Sequence, residues 1–211
     1  MSDEFFQVYY DYFTNMAYRG ATAGKNITVA AALHQLPLFI RGGSIVPTRE
    51  RHRRSSTLMK MDPFTLRVAL STQGSARGEL YMDDGETYSH LEGDIVWREF
   101  AAATKGKVVR ITSTDLAARN PKEAVDGASL TVFDPDNAFA KSVAVVRIEK
   151  MVLVGVGSKP KSVTLEGAHA LAWEYTEGAA SSSKKDGAPG VLVIKDPRVV
   201  VTEGWAIVVQ F

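Results

Sequence analysis

The stretch Thr65-Leu66-Arg67-Val68-Ala69-Leu70 places an apolar side chain at every second position. Successive side chains of a β-strand point to opposite faces, so Leu66, Val68 and Leu70 would share one face. The stretch therefore predicts a strand with one side in a hydrophobic core.

Similar runs of β-branched and aromatic residues recur on both sides of this stretch, separated by Gly, Pro, Asp and Asn. They cover residues 6–13, 26–30, 36–46, 65–71, 78–82, 107–113, 143–156, 162–165, 191–195 and 205–211. Strand-length runs with such turn residues predict an all-β protein of sandwich-like modules. The alanine clusters at 30–32 and 101–103 are too short to propagate a helix alone. Residues 115–137 and 177–190 are rich in turn-forming and small polar residues, which predicts irregular loops.

A join near Gln73-Gly74 predicts two modules, residues 1–72 and residues 73–211. The first module opens directly into a strand-like run at residues 5–13 and holds too few strands for a complete core. Exposed sheet edges and unfinished cores are normally covered in native proteins. We therefore expect the apolar segments 8–13 and 36–46 to meet partners outside this chain.

The composition excludes several classes of protein. The 211 residues include 25 Lys and Arg against 24 Asp and Glu, and this balance argues against a dedicated binder of nucleic acid or anionic membrane. The absence of cysteine excludes disulfides, thiolate zinc sites and a cysteine nucleophile. No apolar run approaches the ~20 residues that span a bilayer. Residues 1–6 do not resemble a signal peptide, so we expect a cytosolic protein or a piece of a longer chain.

The acidic segment Asp83-Asp84-Gly85-Glu86 has two interpretations. Adjacent carboxylates suggest a glycosidase pair or a calcium loop, but neighbouring strand residues face opposite ways, and Tyr88 stands where a calcium loop needs glycine. Asp-Gly is a common turn sequence because Gly tolerates positive φ and Asp bonds back to the backbone. We therefore predict a turn at Asp84-Gly85.

The basic segment 49–54, Arg-Glu-Arg-His-Arg-Arg, is the densest run of charge. It could be a solvated loop, form ion pairs across a domain interface, bind phosphate or meet an acidic partner surface. A nucleic-acid site is disfavoured, because one run of arginines is not a charged face.

Other candidate residues give weaker signals. Asn26-Ile27-Thr28 makes Asn26 a candidate for N-glycosylation. The four histidines are dispersed, and no nucleophile elbow or phosphate-binding loop occurs. The three tryptophans, Trp97, Trp173 and Trp205, could form a sugar-stacking platform or belong to the core. The residues alone therefore assign no catalytic, cofactor-binding or metal site.

Three segments carry a resemblance to a known family. They are the segment 36–47, Leu-Pro-Leu-Phe-Ile-Arg-Gly-Gly-Ser-Ile-Val-Pro, the segment 8–12, Val-Tyr-Tyr-Asp-Tyr, and the segment 78–87, Gly-Glu-Leu-Tyr-Met-Asp-Asp-Gly-Glu-Thr. In this order they resemble glycoside hydrolase family 31. Residues 51–56, 59–60, 62–63, 68–71 and 148–163 are similar to a narrower group that acts in the endoplasmic reticulum. The resemblance runs from about residue 3 to the C-terminus, with the two predicted loops departing from it.

The resemblance implies that the two modules are the proximal and distal C-terminal β domains behind a (β/α)8 barrel. In that family the acidic catalytic residues lie on the barrel, so none is assigned here. The implied activity of the whole enzyme is retaining exo-α-glucosidase trimming of α-1,3-linked glucose from glycoprotein N-glycans. The implied partners are the barrel portion and a regulatory β subunit, with no cofactor, in the endoplasmic reticulum lumen. The competing hypothesis is an autonomous carbohydrate-binding β-sandwich, which predicts an exposed row of aromatic side chains.

Overall fold

The structure is a computed structural model that describes residues 7–19, 28–29, 31–116, 134, 136–179 and 187–211. Almost all of its regular elements are strands, which confirms the predicted all-β class. The strands are β1 (Val8–Asp11), β2 (Ala17–Arg19), β3 (Phe39–Arg41), β4 (Ser44–Thr48), β5 (Phe64–Ala69), β6 (Ala76–Met82), β7 (Val96–Lys105), β8 (Val108–Asp115), β9 (Arg147–Val156), β10 (Ser162–Leu165), β11 (Ala172–Thr176), β12 (Gly190–Val200) and β13 (Trp205–Gln210). The short helix α1 (Ala138–Ser142) and 3-10 turns at Ser56–Met59 and Ser89–Glu92 complete the described elements.

Ten strands form one mixed sheet that curls almost into a barrel, in the order β10-β13-β8-β7-β6-β4-β5-β9-β12-β11. Its two halves join through a short parallel contact between β4 and β6, with Ser44 aligned to Arg77. At the opposite side the Leu171 amide donates to the Val163 carbonyl oxygen at 2.9 Å. The two five-stranded halves thereby face each other across a common interior.

The main hydrophobic core lies between these halves. It contains Leu66, Val68 and Leu70 of the alternating stretch Thr65–Leu70, and these side chains are buried. The prediction of a strand with one face in the core is confirmed by β5. Facing them are residues of the other half, including Phe100 and Ile111.

The remaining three strands form a small sheet in the order β2-β1-β3. Its Val8, Tyr10 and Ala17 pack against Ala69 and against Val152 and Val154 of β9, in a second buried cluster. The expectation that segment 8–13 meets its partners outside the chain is therefore wrong for Val8 and Tyr10. The parallel pair β5–β9 has a second apolar face, which this sheet covers.

The predicted modules, residues 1–72 and 73–211, both contribute strands to the ten-stranded sheet. The strands β4 and β5 lie in the same sheet as β6 to β13, because β5 inserts beside β9 with parallel pairing. The boundary between residues 72 and 73 stays a prediction. The predicted loops 115–137 and 177–190 lie largely outside the described residues; within the first, Asn137 caps α1 by accepting a hydrogen bond from the Ala140 amide at 2.8 Å. The described chain has no helix long and apolar enough to cross a bilayer.

Candidate functional site

The segment that follows β6 is the predicted turn, and Gly85 has a φ of 67°, which confirms it. The Asp83 carboxylate accepts from the Gly85 amide at 2.9 Å, and the Asp84 carboxylate accepts from the Glu86 and Thr87 amides, both at 3.0 Å. The Thr87 hydroxyl adds a bond of 2.5 Å to Asp84. Each carboxylate thus stabilises its own loop.

The hydrogen bonds in this turn determine how the Asp84 carboxyl titrates. The Thr87 hydroxyl and the Glu86 and Thr87 amides lower the pKa of Asp84 to about 2, because they stabilise the ionised form. A general acid needs a raised pKa, so this carboxyl is suited to a structural task rather than to proton donation. Lys60 closes the loop by donating to the Asp84 carbonyl oxygen at 2.9 Å and to the Glu86 carboxylate at 2.6 Å.

The described residues contain no cluster of three or more His, Asp or Glu side chains that could hold a metal ion. His34, His52, His90 and His169 lie in separate segments, as their spacing in the sequence indicates. The candidate glycosylation residue Asn26 lies outside the described residues, and its modification stays a prediction.

The basic segment 49–54 is built into the fold by ion pairs. Arg53 donates two hydrogen bonds to the buried Asp62 carboxylate, at 2.9 and 2.7 Å, and these bonds together with the Arg53 charge hold the pKa of Asp62 below its usual value. Arg51 pairs with Glu149 of β9 at 2.9 Å. Arg49 donates to the Lys60 carbonyl oxygen at 3.1 Å and lies over the Phe64 ring at 4.3 Å. Of the four alternatives, ion pairing is therefore present, here within one chain.

A second set of charges continues from this segment across the sheet. Glu50 accepts from Lys150 at 2.6 Å and from Arg67 at 3.3 Å. Burial alone would raise the pKa of Glu50, but the hydrogen bonds and charges of these two partners lower it below its usual value. The Arg67 guanidinium also lies 4.1 Å from the centre of the Tyr12 ring. The network thereby joins Tyr12, which follows β1, to β5 and β9.

These side chains surround an open groove of about 420 Å³, called the basic groove below. Its lining consists of Tyr12, Arg49, Glu50, Arg51, His52, Arg53, Met59 and Arg67. The sequence interpretation missed Tyr12 and Arg67 as members of this group. Arg67 carried a signal, since it is a cation in the middle of an otherwise apolar strand.

The three tryptophans do not form a common platform. Trp173 and Trp205 pack against the main core, and Trp205 stacks on Phe100 with the ring centroids 5.9 Å apart. Trp97 instead lies opposite Tyr81 in the β6–β7 pair and donates its indole N–H to Glu79 at 3.1 Å. Two of the three are thus core residues.

An exposed apolar surface lies at the small sheet. Phe13, Leu36 and Leu38, called the apolar patch below, are 70%, 77% and 43% exposed. Phe13 and Leu36 line one cavity of about 550 Å³, and the Leu38 carbonyl oxygen accepts from the Tyr12 amide at 2.8 Å. Leu33, three residues before Leu36, is also fully exposed. Segments 8–13 and 36–46 therefore expose apolar side chains at Phe13, Leu36 and Leu38, and their contact with a partner outside the chain stays a prediction.

Comparison with known proteins gives a consistent relationship, although no family model matches the chain. "Neutral alpha-glucosidase AB" of Sus scrofa is 33% identical over 205 residues, which cover 95% of this chain and 18% of that protein. A glucosidase II alpha subunit, in a crystal structure of an alpha3-Glc2-bound form, is 31% identical to this chain, with a TM-score of 0.72. The match covers 100% of this chain and 22% of that chain. The catalytic subunit in a crystal structure of the ER glucosidase II heterodimeric complex, with the binding domain of the regulatory subunit, is 32% identical over 97% of this chain and 20% of that chain, with a TM-score of 0.69.

The chain spans about a fifth of the length of the relatives that it matches, so the likeness concerns one segment of those proteins. That segment is matched in sequence along nearly this whole chain and in fold along all of it. The chain is therefore homologous to part of the glycoside hydrolase family 31 α-glucosidases, among them the glucosidase II α subunit known as neutral α-glucosidase AB.

Proposed function

We propose that this chain is the non-catalytic C-terminal portion of a retaining exo-α-glucosidase that trims α-1,3-linked glucose from glycoprotein N-glycans. Residues 1–72 correspond to the proximal and residues 73–211 to the distal C-terminal β domain. This portion packs against the catalytic barrel of the same subunit and stabilises the side of the barrel that it contacts. The chain alone has no glycosidase activity, and the whole enzyme acts in the endoplasmic reticulum lumen.

The observation that carries this proposal is the apolar patch. Isolated exposed apolar side chains are ordinary, but Phe13 lies just after β1 and Leu36 and Leu38 lie just before β3 of the small sheet, and two of the three share a cavity. Adjoining apolar side chains on a surface typically mark a contact with another protein part. We infer that the catalytic barrel, which the family resemblance implies for the whole enzyme, is the part that covers this surface.

The relatives support the substrate class and the partners. The similar solved structures include a glucosidase II α subunit bound to alpha3-Glc2, and a complex of the catalytic subunit with the binding domain of a regulatory subunit. We therefore extend the proposal to a glucosidase II β subunit as a partner of the whole enzyme, and to N-glycans as substrates reached through the barrel. The carboxylates of Asp83 and Asp84 are engaged within their own loop, which agrees with a non-catalytic role.

The alternative, an autonomous carbohydrate-binding β-sandwich, has one observation in its favour. Tyr81 is 50% exposed and lies directly opposite Trp97, whose indole N–H is fixed by Glu79. Two aromatic side chains are fewer than the exposed row that a carbohydrate-binding module predicts. We therefore place it second.

The test begins with the reading frame ahead of codon 1, which the proposal expects to encode a family 31 barrel. The full-length enzyme is then made with a protease site inserted before residue 1 and is cut after purification. Residues 1–211 should stay bound to the barrel portion, and α-glucosidase activity should elute with the barrel. Activity in the separated 1–211 chain, lost in Asp84→Asn, would contradict the proposal.

The contribution of the patch is tested in the same cleaved enzyme. Leu36→Asp should release residues 1–211 from the barrel portion, because a charge replaces an apolar contact. Val145→Asp is the matched control, since Val145 is 74% exposed and lies outside the patch. Equal retention of the Leu36→Asp and Val145→Asp chains would mean that the patch is not the contact surface.

A further inference from the structure

The basic groove carries more positive than negative charge. Arg49, Arg51, Arg53 and Arg67 line the groove, Lys150 pairs with its Glu50, and the exposed Arg54 follows Arg53 in the chain. These six cations meet three carboxylates, those of Glu50, Asp62 and Glu149. The carboxylates balance only half of the cations. The excess lies on an open surface, although the chain as a whole has a formal net charge of only +1.

The spare hydrogen-bonding capacity lies on arginines. In the described part of the chain, Arg49 has no carboxylate within ion-pair distance and Arg54, which is exposed, has no hydrogen-bond or ion-pair partner. The Arg67 Nε is buried without a hydrogen-bond partner. Arg51 is 45% exposed and uses only its Nη2 on Glu149. Guanidinium groups of this kind bind carboxylates through paired N–H donors.

The basic groove adjoins the apolar patch. Tyr12 lines the groove and its ring meets the Phe13 ring of the patch edge-on, with the centroids 5.2 Å apart. The Tyr12 amide also bonds to the Leu38 carbonyl oxygen. A partner that covers Phe13 and Leu38 therefore extends naturally over Tyr12 into the groove.

We propose that the basic groove receives an acidic, Asp- or Glu-bearing segment of the same barrel portion that covers the apolar patch. This inference rests on the proposed function and adds the chemistry of the partner surface. The apolar patch supplies the buried area, and the groove sets the orientation by charge complementarity. Charged groups at the rim of an interface act mainly on specificity and on the rate of association.

The test uses the cleaved full-length enzyme and compares two double variants. Arg51→Gln with Arg54→Gln, called the groove variant, removes one charge that lines the groove and one exposed charge of the basic segment 49–54. It spares Arg53, which is needed to balance the buried Asp62. The matched control is Arg110→Gln with Arg147→Gln, since Arg110 and Arg147 are 47% and 54% exposed, form ion pairs and lie outside the groove. Binding of residues 1–211 to the barrel portion is measured at about 50 and about 300 mM NaCl.

For the unchanged chain we expect binding to be roughly tenfold weaker at about 300 mM than at about 50 mM NaCl. At about 50 mM NaCl the groove variant should bind roughly tenfold more weakly than the unchanged chain, and raising the salt should weaken its binding little further. The control variant should bind within about twofold of the unchanged chain. A groove variant that binds normally with the normal salt response, while Leu36→Asp still releases the chain, would overturn the inference and leave the proposed function standing. Failure of the unchanged chain to bind would overturn both.

A small oxyanion is the other occupant that the groove chemistry allows. Inorganic phosphate added to the intact full-length enzyme should give no rise in Tm if an acidic segment already fills the groove. A rise in Tm with phosphate that disappears in the groove variant would show an open anion site and would overturn the proposal.

Discussion

The Tyr10 hydroxyl donates a hydrogen bond of 2.8 Å to the carbonyl oxygen of Leu70, and this bond ties the small sheet to the end of β5. The ring lies over Gly155 of β9, where a Cβ would come within 2.4 Å of the hydroxyl oxygen. Gly155 also has a φ of 95°, a conformation that favours glycine. Tyr10 of β1 therefore packs at the point where β5 and β9 meet, as a buried member of the second hydrophobic cluster.

Removing this hydroxyl should destabilise the chain without changing its fold. We expect Tyr10→Phe to lower the free energy of unfolding by about 1 kcal/mol, because the buried Leu70 carbonyl loses a donor. Urea unfolding of the two proteins measures the difference. Tyr9→Phe is the control, since Tyr9 is 43% exposed, and its effect should be close to zero. Equal losses for the two variants would show that the Tyr10 bond contributes nothing specific.

The same tyrosine should make stability depend on pH in the alkaline range. Burial raises the pKa of Tyr10 to about 12, whereas its ordinary value is 10.0. The folded state thus keeps a proton that the unfolded chain loses. The resulting stability is fully present below pH 10 and is lost as the pH rises toward 12. We expect the unfolding free energy to fall more steeply over this interval in the unchanged chain than in Tyr10→Phe. Parallel curves would contradict the assignment.

The accuracy of the sequence interpretation depended on whether local chemistry determined the structure. Thr65–Leu70 and Asp84-Gly85 were predicted correctly, because alternation and turn chemistry act over a few residues. Strand β7 was missed since it reads Val-Trp-Arg-Glu-Phe-Ala-Ala-Ala-Thr-Lys, with three alanines and three charged residues among its ten. Its Arg98 is buried only because Ser113, Asp115 and two carbonyl groups near the start of β13 receive its donors.

The basic groove illustrates the same limit for the candidate site. The sequence marked residues 49–54 as charged, but Tyr12 comes from the turn after β1 and Arg67 from β5. Their proximity depends on packing of the small sheet against β5, which no local pattern encodes. The apolar patch was anticipated only as part of two longer segments, because successive residues of a strand, such as Tyr9 and Tyr10, face opposite ways and only one of them is buried.

The turn at Gly85 offers a clean test of backbone strain. We expect Gly85→Val to lower stability by about 1 to 3 kcal/mol, since a β-branched residue is strained at positive φ. A Cβ at Gly85 would meet no atom within 4 Å, so steric contact adds nothing. Gly157→Val is the matched control, because Gly157 has equally open surroundings without a positive φ. If both variants unfold at the same urea concentration, strain at Gly85 is not the cause.

The Asp84 carboxyl should be ionised to unusually low pH. Its pKa is lowered to about 2 by the Thr87 hydroxyl and by the amides of Glu86 and Thr87. Titration followed by carboxyl NMR shifts should give that value in the folded chain. In Thr87→Val the hydroxyl bond is absent, and the pKa should move upward toward 3.8. The stability from these bonds is present above pH 4 and decreases as the pH falls toward 2, because the depressed pKa belongs to the folded state. An unchanged pKa in Thr87→Val would show that the amides alone hold the carboxylate.

The apolar patch predicts how the separate 1–211 chain behaves in solution. Phe13 and Leu36 are exposed and line a cavity of about 550 Å³, which a hydrophobic dye can enter. We expect the isolated chain to bind such a dye and to self-associate at high concentration. Phe13→Ser combined with Leu36→Ser should reduce dye fluorescence several-fold with little loss of stability, because neither side chain is buried. The double control Leu91→Ser with Val145→Ser replaces side chains of 68% and 74% exposure outside the patch, and it should leave the fluorescence unchanged. A monomeric, dye-silent chain with cooperative unfolding would favour the autonomous carbohydrate-binding module, since such a module needs no partner over Phe13 and Leu36.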